Sequence, residues 1–254
     1  MGSPLWAAPY MHDTAAARLP RKTRNPSRKG KGLMISETVS VAVPGNVELP
    51  GDLDVPPSPR GVVLFVHGSG SSRHSPRNRA VAEYLRRNGW ATLLTDLLSP
   101  EEERTDTATG QYRFDIPLLA ERTVTTVDWL GKYPATEALP VHLFGASTGA
   151  AAALVAAAQR SGPVVSRGGR PDMAGDALER VDVPVLMLVG GRDEQVLQLN
   201  KEAAQRLHTE HRIQVIPGAT HLFEEPGALE QVAAAAHEWF LHAAETQPRG
   251  DGLR

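Results

Sequence analysis

Apolar residues recur along this chain with two periods, near two and near 3.6, and segments of the two kinds alternate. Thr38–Val43 and Asn46–Leu49 place apolar and polar residues alternately on either side of Pro44-Gly45, which predicts an antiparallel opening pair of strands. Val62–Val66 is a continuous apolar run, as expected of a strand buried on both faces. Asn78–Asn88 has helical spacing, with Ala80, Val81, Tyr84 and Leu85 on one side and Gly89 as its stop. Ala91–Leu94 reads as the next strand, ending at Asp96. Leu97–Arg113 is acidic, Thr-rich and without period, and is expected to be a loop or a small excursion over the domain edge. Helical spacing returns over Pro117–Gly131 through Leu118, Leu119, Val124, Val127 and Leu130.

The second half repeats the alternation. Strands are expected at Val141–Phe144, Pro163–Ser166, Val183–Val189 and Arg212–Ile216, and helices at Thr148–Gln159, Val196–Leu207 and Ala228–Ala243. Strands separated by helices of this length imply an α/β fold, with a mostly parallel sheet of eight strands covered by helices on both faces. One domain over residues 34–246 suffices, with no internal repeat.

Composition changes this picture at several points. The chain has 254 residues and a net charge of −2, so nucleic acid is not expected as a partner. It has no cysteine, which excludes a disulfide framework, a thiolate metal site and a cysteine nucleophile together. The longest apolar run, around Ala150–Ala158, is too short to span a bilayer, so a membrane location is not expected and a cytoplasmic one is. The first 33 residues carry Arg18, Arg21, Lys22, Arg24, Arg28, Lys29 and Lys31 without apolar periodicity, and are read as a disordered basic extension, with a flexible tail at 247–254. Its charges precede no apolar core, so the extension is not read as a signal peptide, and a targeting or nucleic-acid-contacting arm is the weaker alternative.

The chemistry concentrates at strand ends. Gly145-Ala146-Ser147-Thr148-Gly149 is Gly-x-Ser-x-Gly where a strand gives way to a helix. A serine on so sharp a turn projects its hydroxyl above the sheet, and the new helix aims its N-terminal N–H groups at the same place. Without chemistry, the same residues would be a glycine-bounded turn. Serine needs a base and the base an orienting acid. Of nine histidines, His221 in Gly218-Ala219-Thr220-His221 follows the last strand at the same sheet edge, whereas His142 lies inside a strand. Asp193 follows its strand after Gly190-Gly191, with Glu194 in reserve and a helix cap as the alternative role for Asp193. The order Ser147, Asp193, His221 is serine, acid, base. Backbone donors for a developing oxyanion are expected from Thr148 and from Ser69, with Gly70 next, in His67-Gly68-Ser69-Gly70. His208 and His211 have no further ligands beside them, so no metal is expected, and no cofactor is implied.

These four motifs, His67-Gly68-Ser69-Gly70, Gly145-Ala146-Ser147-Thr148-Gly149, Gly191-Arg192-Asp193 and Gly218-Ala219-Thr220-His221, make the chain from Thr38 to Ala243 resemble the α/β-hydrolases, and among them the dienelactone-hydrolase-like proteins. The resemblance departs at one place: dienelactone hydrolases proper use cysteine where this chain has Ser147. It implies a serine esterase acting on a small-molecule ester. It also places Ser166–Pro171 near the sixth strand, where Arg167 and Arg170 can bind a substrate carboxylate or can be solvated turn residues. The point where such folds insert a lid spans only about Gly168 to Asp182, too short for a separate cap domain, so an open site for short acyl groups is expected. The Leu97–Arg113 excursion is expected to form one of its walls. The same machinery would serve an acyltransferase or a thioesterase. A non-catalytic ligand- or partner-binding fold is the alternative of a different class. Oligomeric state is not encoded in these motifs.

Overall fold

The structure, a computed structural model, describes residues 33–160 and 162–246. The expected basic extension over the first residues and the tail at 247–254 lie outside the described residues. The chain builds one sheet of eight strands in the order β1-β2-β4-β3-β5-β6-β7-β8. Strands β1 (Ile35–Val43) and β2 (Val47–Val55) form the antiparallel opening pair, and β2 pairs antiparallel with β4 (Ala91–Thr95). The rest is parallel: β4, β3 (Val62–Val66), β5 (Val141–Ala146), β6 (Val164–Arg167), β7 (Val185–Gly190) and β8 (His211–Ile216).

The continuous apolar strands serve two cores at once. Val62, Leu64 and Val66 enter one cluster with the alanines of α4 (Thr148–Ala157) and residues of α3 (Ile116–Leu130). Val63 and Phe65 enter the opposite cluster with α1 (Pro76–Arg87) and α6 (Ala228–Thr246). Helix α5 (Glu194–Ala204) contributes Ala203 to the first cluster. All five residues of β3 are buried, and each such side chain contributes about 1.5–3 kcal/mol relative to exposure. On α1 the buried face runs through Asn78, Val81, Ala82 and Leu85, while Ala80 is exposed, so the apolar stripe is rotated slightly from the expected one.

Two expectations are corrected. The second strand does not stop at Leu49: β2 continues through Pro50 and Gly51 to Val55, and Asn46 is a turn residue at φ 60°. Gly51 allows this because a Cβ there would stand 3.0 Å from a Leu93 methyl and 3.3 Å from a Val39 methyl. The excursion after Leu97 is not a loop. It contains α2 (Pro100–Thr109), with a complete capping box on Ser99 and Glu102 and a left-handed Gly110 at its end. Its one buried residue is Asp106, which takes the amides of Tyr112 and Arg113 and the Arg113 side chain. Between β6 and β7 the chain makes only a 3₁₀ segment, Pro171–Arg180, kinked at Gly175.

Candidate active site

The expected site residues gather at the carboxyl ends of the parallel strands. Ser147 sits between β5 and α4 at φ 50°, ψ −122°, a conformation that a side-chain-bearing residue adopts only under constraint. The constraint is visible. Its amide donates to the Arg167 carbonyl at 3.1 Å, and its own carbonyl accepts the amides of Ala150 and Arg170, each at 3.1 Å. A Cβ at Gly145 would stand 2.5 Å from the Ala150 Cα, and one at Gly149 would stand 2.2 Å from the Val66 carbonyl. Strand, serine and helix therefore close up only with glycine at both positions.

Asp193 and His221 meet through a third glycine. At Gly190 a Cβ would lie 2.5 Å from the Ala219 carbonyl and 2.6 Å from that of Thr220, so the loops after β7 and β8 are packed together there. The Arg192 amide donates to the Ala219 carbonyl at 2.9 Å and holds them in register. Across this seam His221 Nδ1 and Asp193 Oδ2 are 2.6 Å apart. Asp193 does occupy the N-cap position of α5, but its side chain caps no helix amide and faces the imidazole instead. Glu194 is exposed and makes no such contact. With Nδ1 donating to a carboxylate, the ring's Nε2 is the nitrogen left to act as a base. The ring stands over Gly168, whose Cβ would be 3.5 Å from His221 Cε1, one residue beyond the carbonyl that holds the Ser147 amide. Among the described residues, no hydrogen bond joins Ser147 Oγ to the imidazole. In sites of this kind that bond often tightens only with substrate present.

The loop from His67 to His74 is fastened at three points. His67 Nδ1 faces the Gly68 carbonyl at 3.0 Å, and its Nε2 accepts the Leu97 amide at 3.1 Å. A carbonyl can only accept and an amide only donate, so this ring carries its proton on Nδ1 and is neutral. Its pKa is lowered by burial, against the pull of the Gly68 carbonyl and Asp96. Arg73 donates its amide and its guanidinium to Asp96. Ser69 donates its amide to Thr148 Oγ1 at 2.8 Å. Thus the expected Ser69 donor is near the elbow but is already paired, while Gly70, at φ 65°, has open space where a Cβ would be. The Thr148 amide, first in α4, precedes any intrahelical acceptor.

Beside this loop lies a cavity of about 360 Å³, lined by His67, Gly70, Ser71, Leu98 and Glu103 among others. The α2 excursion lines this cavity beside the glycine loop through Leu98, Pro100 and Glu103, while Ser147, Asp193 and His221 do not line it. Burial, and after it the charges of Asp106 and Asp96, raise the Glu103 pKa.

The two arginines part company. Arg170, its side chain 40% exposed, pairs with Asp172 through two hydrogen bonds, of 2.9 and 2.7 Å. Arg167 is 8% exposed, and its Nη1 is buried without a hydrogen-bond partner. Burial, and then the charge of Arg77, push its pKa down to about 10. Arg77, on α1, contacts Glu224 at 3.3 Å. Neither Arg77 nor the Thr148 side chain was indicated by the sequence, because nothing in their spacing links them to the elbow.

A family model for the dienelactone hydrolase family matches residues 50–246. A crystal structure of dienelactone hydrolase from Anabaena variabilis is 55% identical, covers 83% of this chain and 98% of its own, and superposes with a TM-score of 0.81. Est1E from Butyrivibrio proteoclasticus, at 19% identity and a TM-score of 0.67 over 82% of this chain and 99% of its own, shares the fold. Two Mycobacterium tuberculosis proteins, from strains CDC 1551 and H37Rv and provisionally named phosphoribosyl transferases, are 56% identical over 212 residues. That is 82% of this chain and 47% of theirs, so the chain spans about half the length of these relatives.

Proposed function

The chain belongs to the dienelactone hydrolase family, hydrolases of the α/β-hydrolase fold, and from that premise we propose that it cleaves carboxylic esters of small or short-chain acyl groups through an acyl-enzyme on Ser147. One observation carries the reading: a strained serine at the strand–helix elbow shares a sheet edge with a histidine held by a carboxylate at 2.6 Å. In this reading His221 Nε2 takes the Ser147 proton as Oγ attacks the ester carbonyl. It then gives that proton to the leaving alcohol. Water then attacks the acyl carbon as His221 takes its proton. The intermediate collapses with the carbon–Oγ bond breaking and His221 returning that proton to Ser147 Oγ, which frees the carboxylic acid. Asp193 keeps the Nδ1 proton in place and stabilises the imidazolium without accepting the proton itself.

The buried, unpaired Arg167 guanidinium supports an acyl or alcohol portion that carries a carboxylate. The 3₁₀ segment between β6 and β7, only ten residues long, supports small substrates at an open site. We read the transferase name of the mycobacterial relatives as belonging to the part of those chains outside the 212 matched residues.

The test is hydrolysis of p-nitrophenyl esters from acetyl to decanoyl by wild type and Ser147→Ala. Turnover of the short esters, lost by about a thousandfold or more in the variant, is expected. A wild-type protein that neither turns over these esters nor is labelled at Ser147 by a fluorophosphonate would return the chain to a non-catalytic binding role.

A further inference from the structure

An oxyanion formed at Ser147 needs two donors, and the amide that the glycine loop offers is engaged. Ser69 N–H donates to Thr148 Oγ1 at 2.8 Å, across 79 residues of chain. Resting on the acyl-transfer reading above, we propose that the second donor to the oxyanion is the Thr148 hydroxyl itself, with the Ser69 amide behind it.

A hydroxyl that accepts a hydrogen bond still has its proton to give, and accepting one makes it a better donor. Other threonines on this chain's helices spend that proton on the carbonyl four residues back: Thr107 on Glu103, Thr123 on Leu119, Thr126 on Arg122. Thr148 opens α4, and the residue four back, Phe144, lies in β5. Among the described residues its hydroxyl proton has no acceptor. Its backbone N–H is equally unclaimed, being the first of the helix. One buried residue therefore presents two donors at the positive end of α4, next to the strained serine.

The alternative, that Ser69 N–H turns to the substrate directly, asks the loop to move, and the loop is pinned. A Cβ on Gly68 would stand 3.0 Å from both the Ala146 carbonyl and the Ser147 Cβ. His67 holds the Leu97 amide, and Arg73 holds Asp96. In acylation the Ser147 Oγ–carbon bond forms, the carbonyl π pair moves onto oxygen, and His221 receives the serine proton. The Thr148 N–H and Oγ1–H share the new charge, and neither proton leaves Thr148.

Thr148→Val, Thr148→Ala and Thr148→Ser separate the possibilities, read by the second-order rate of fluorophosphonate labelling and by kcat and KM on p-nitrophenyl acetate. In labelling, the Oγ–phosphorus bond forms, fluoride leaves, and the phosphoryl oxygen takes the oxyanion's place. Valine and alanine are expected to lower labelling and kcat by about a hundredfold with KM within about threefold, and serine to restore most of both. Rates at or above wild type in the valine or alanine variant would assign the donor to the Ser69 amide and overturn the proposal, leaving the hydrolase reading intact. A loss in the serine variant as large as in valine would make the effect one of packing and also overturn it. Failure of the wild type to label would overturn both readings.

Discussion

Arg167 gives its backbone carbonyl to the Ser147 amide at 3.1 Å while its guanidinium Nη1 lies buried with no hydrogen-bond partner. A positive charge without a carboxylate thus belongs to the very residue that holds the elbow's amide. An unpaired buried cation costs several kcal/mol, a cost that a bound anion would offset. Arg167→Met is therefore expected to lower kcat/KM for p-nitrophenyl hemisuccinate at least about tenfold more than for p-nitrophenyl butyrate. Equal losses on the two esters would show that Arg167 does not read substrate charge.

The 2.6 Å contact between Asp193 and His221 leads to a kinetic expectation. Asp193→Asn keeps the shape and lets the imidazole adopt the wrong tautomer. A fall in kcat of about 10²- to 10⁴-fold, with KM changed by no more than a few-fold, is expected on a short p-nitrophenyl ester. Glu194→Gln, on an exposed side chain, should leave both constants near wild type.

Glu102 joins α2 to α3. It completes the capping box with Ser99 and pairs both its oxygens with Arg122, whose Nη1 also reaches the Leu97 carbonyl. Burial pushes the Glu102 pKa up, but the bonds from Arg122 and Ser99 outweigh it and leave the pKa lowered. Glu102→Ala removes the box and strands a guanidinium that is 3% exposed. A loss of about 3 kcal/mol or more in urea unfolding is expected. Arg122→Met with Glu102→Ala should recover part of it.

His142 makes the fold sensitive to acid. Its ring lies between Trp90 (centroids 5.0 Å apart, edge-on) and Phe240 (5.1 Å, stacked), with neither nitrogen hydrogen-bonded. Burial lowers its pKa to about 4. Unfolded, it titrates near its ordinary value of about 6.5 and takes up a proton that the folded state refuses. Its contribution is therefore fully present above pH ~6.5 and lost as pH falls toward 4, by about 2–3 kcal/mol across that window. His67 and His237, both lowered by burial, act in the same direction. Urea unfolding at about pH 7 and about pH 4.5 should show that loss in wild type and a distinctly smaller one in His142→Leu.

Most of the scaffold was legible in the sequence for one physical reason. Val62–Val66 and Val185–Gly190 are buried on both faces, so every position must be apolar or small, and the runs announce themselves. Helix α2 gave no such sign. It buries only Asp106, and caps and ion pairs hold it, which leave no period to detect. Strand β2 runs past the expected Leu49 because paired register with β1 carries Pro50 and Gly51 within it. Ser147, Asp193 and His221 were indicated by their places just beyond strand ends. The bond from Ser69 to Thr148, and the closeness of Arg77 to Arg167, join distant segments and leave no local pattern.

The short crossover Pro171–Arg180 has a kinetic corollary. Where a mobile domain covers a hydrolase, each turnover includes its opening and closing, and that motion often limits the rate. Here the chain between β6 and β7 is a single kinked 3₁₀ segment. In the proposed mechanism no domain inserted between β6 and β7 would have to open and close at each turnover.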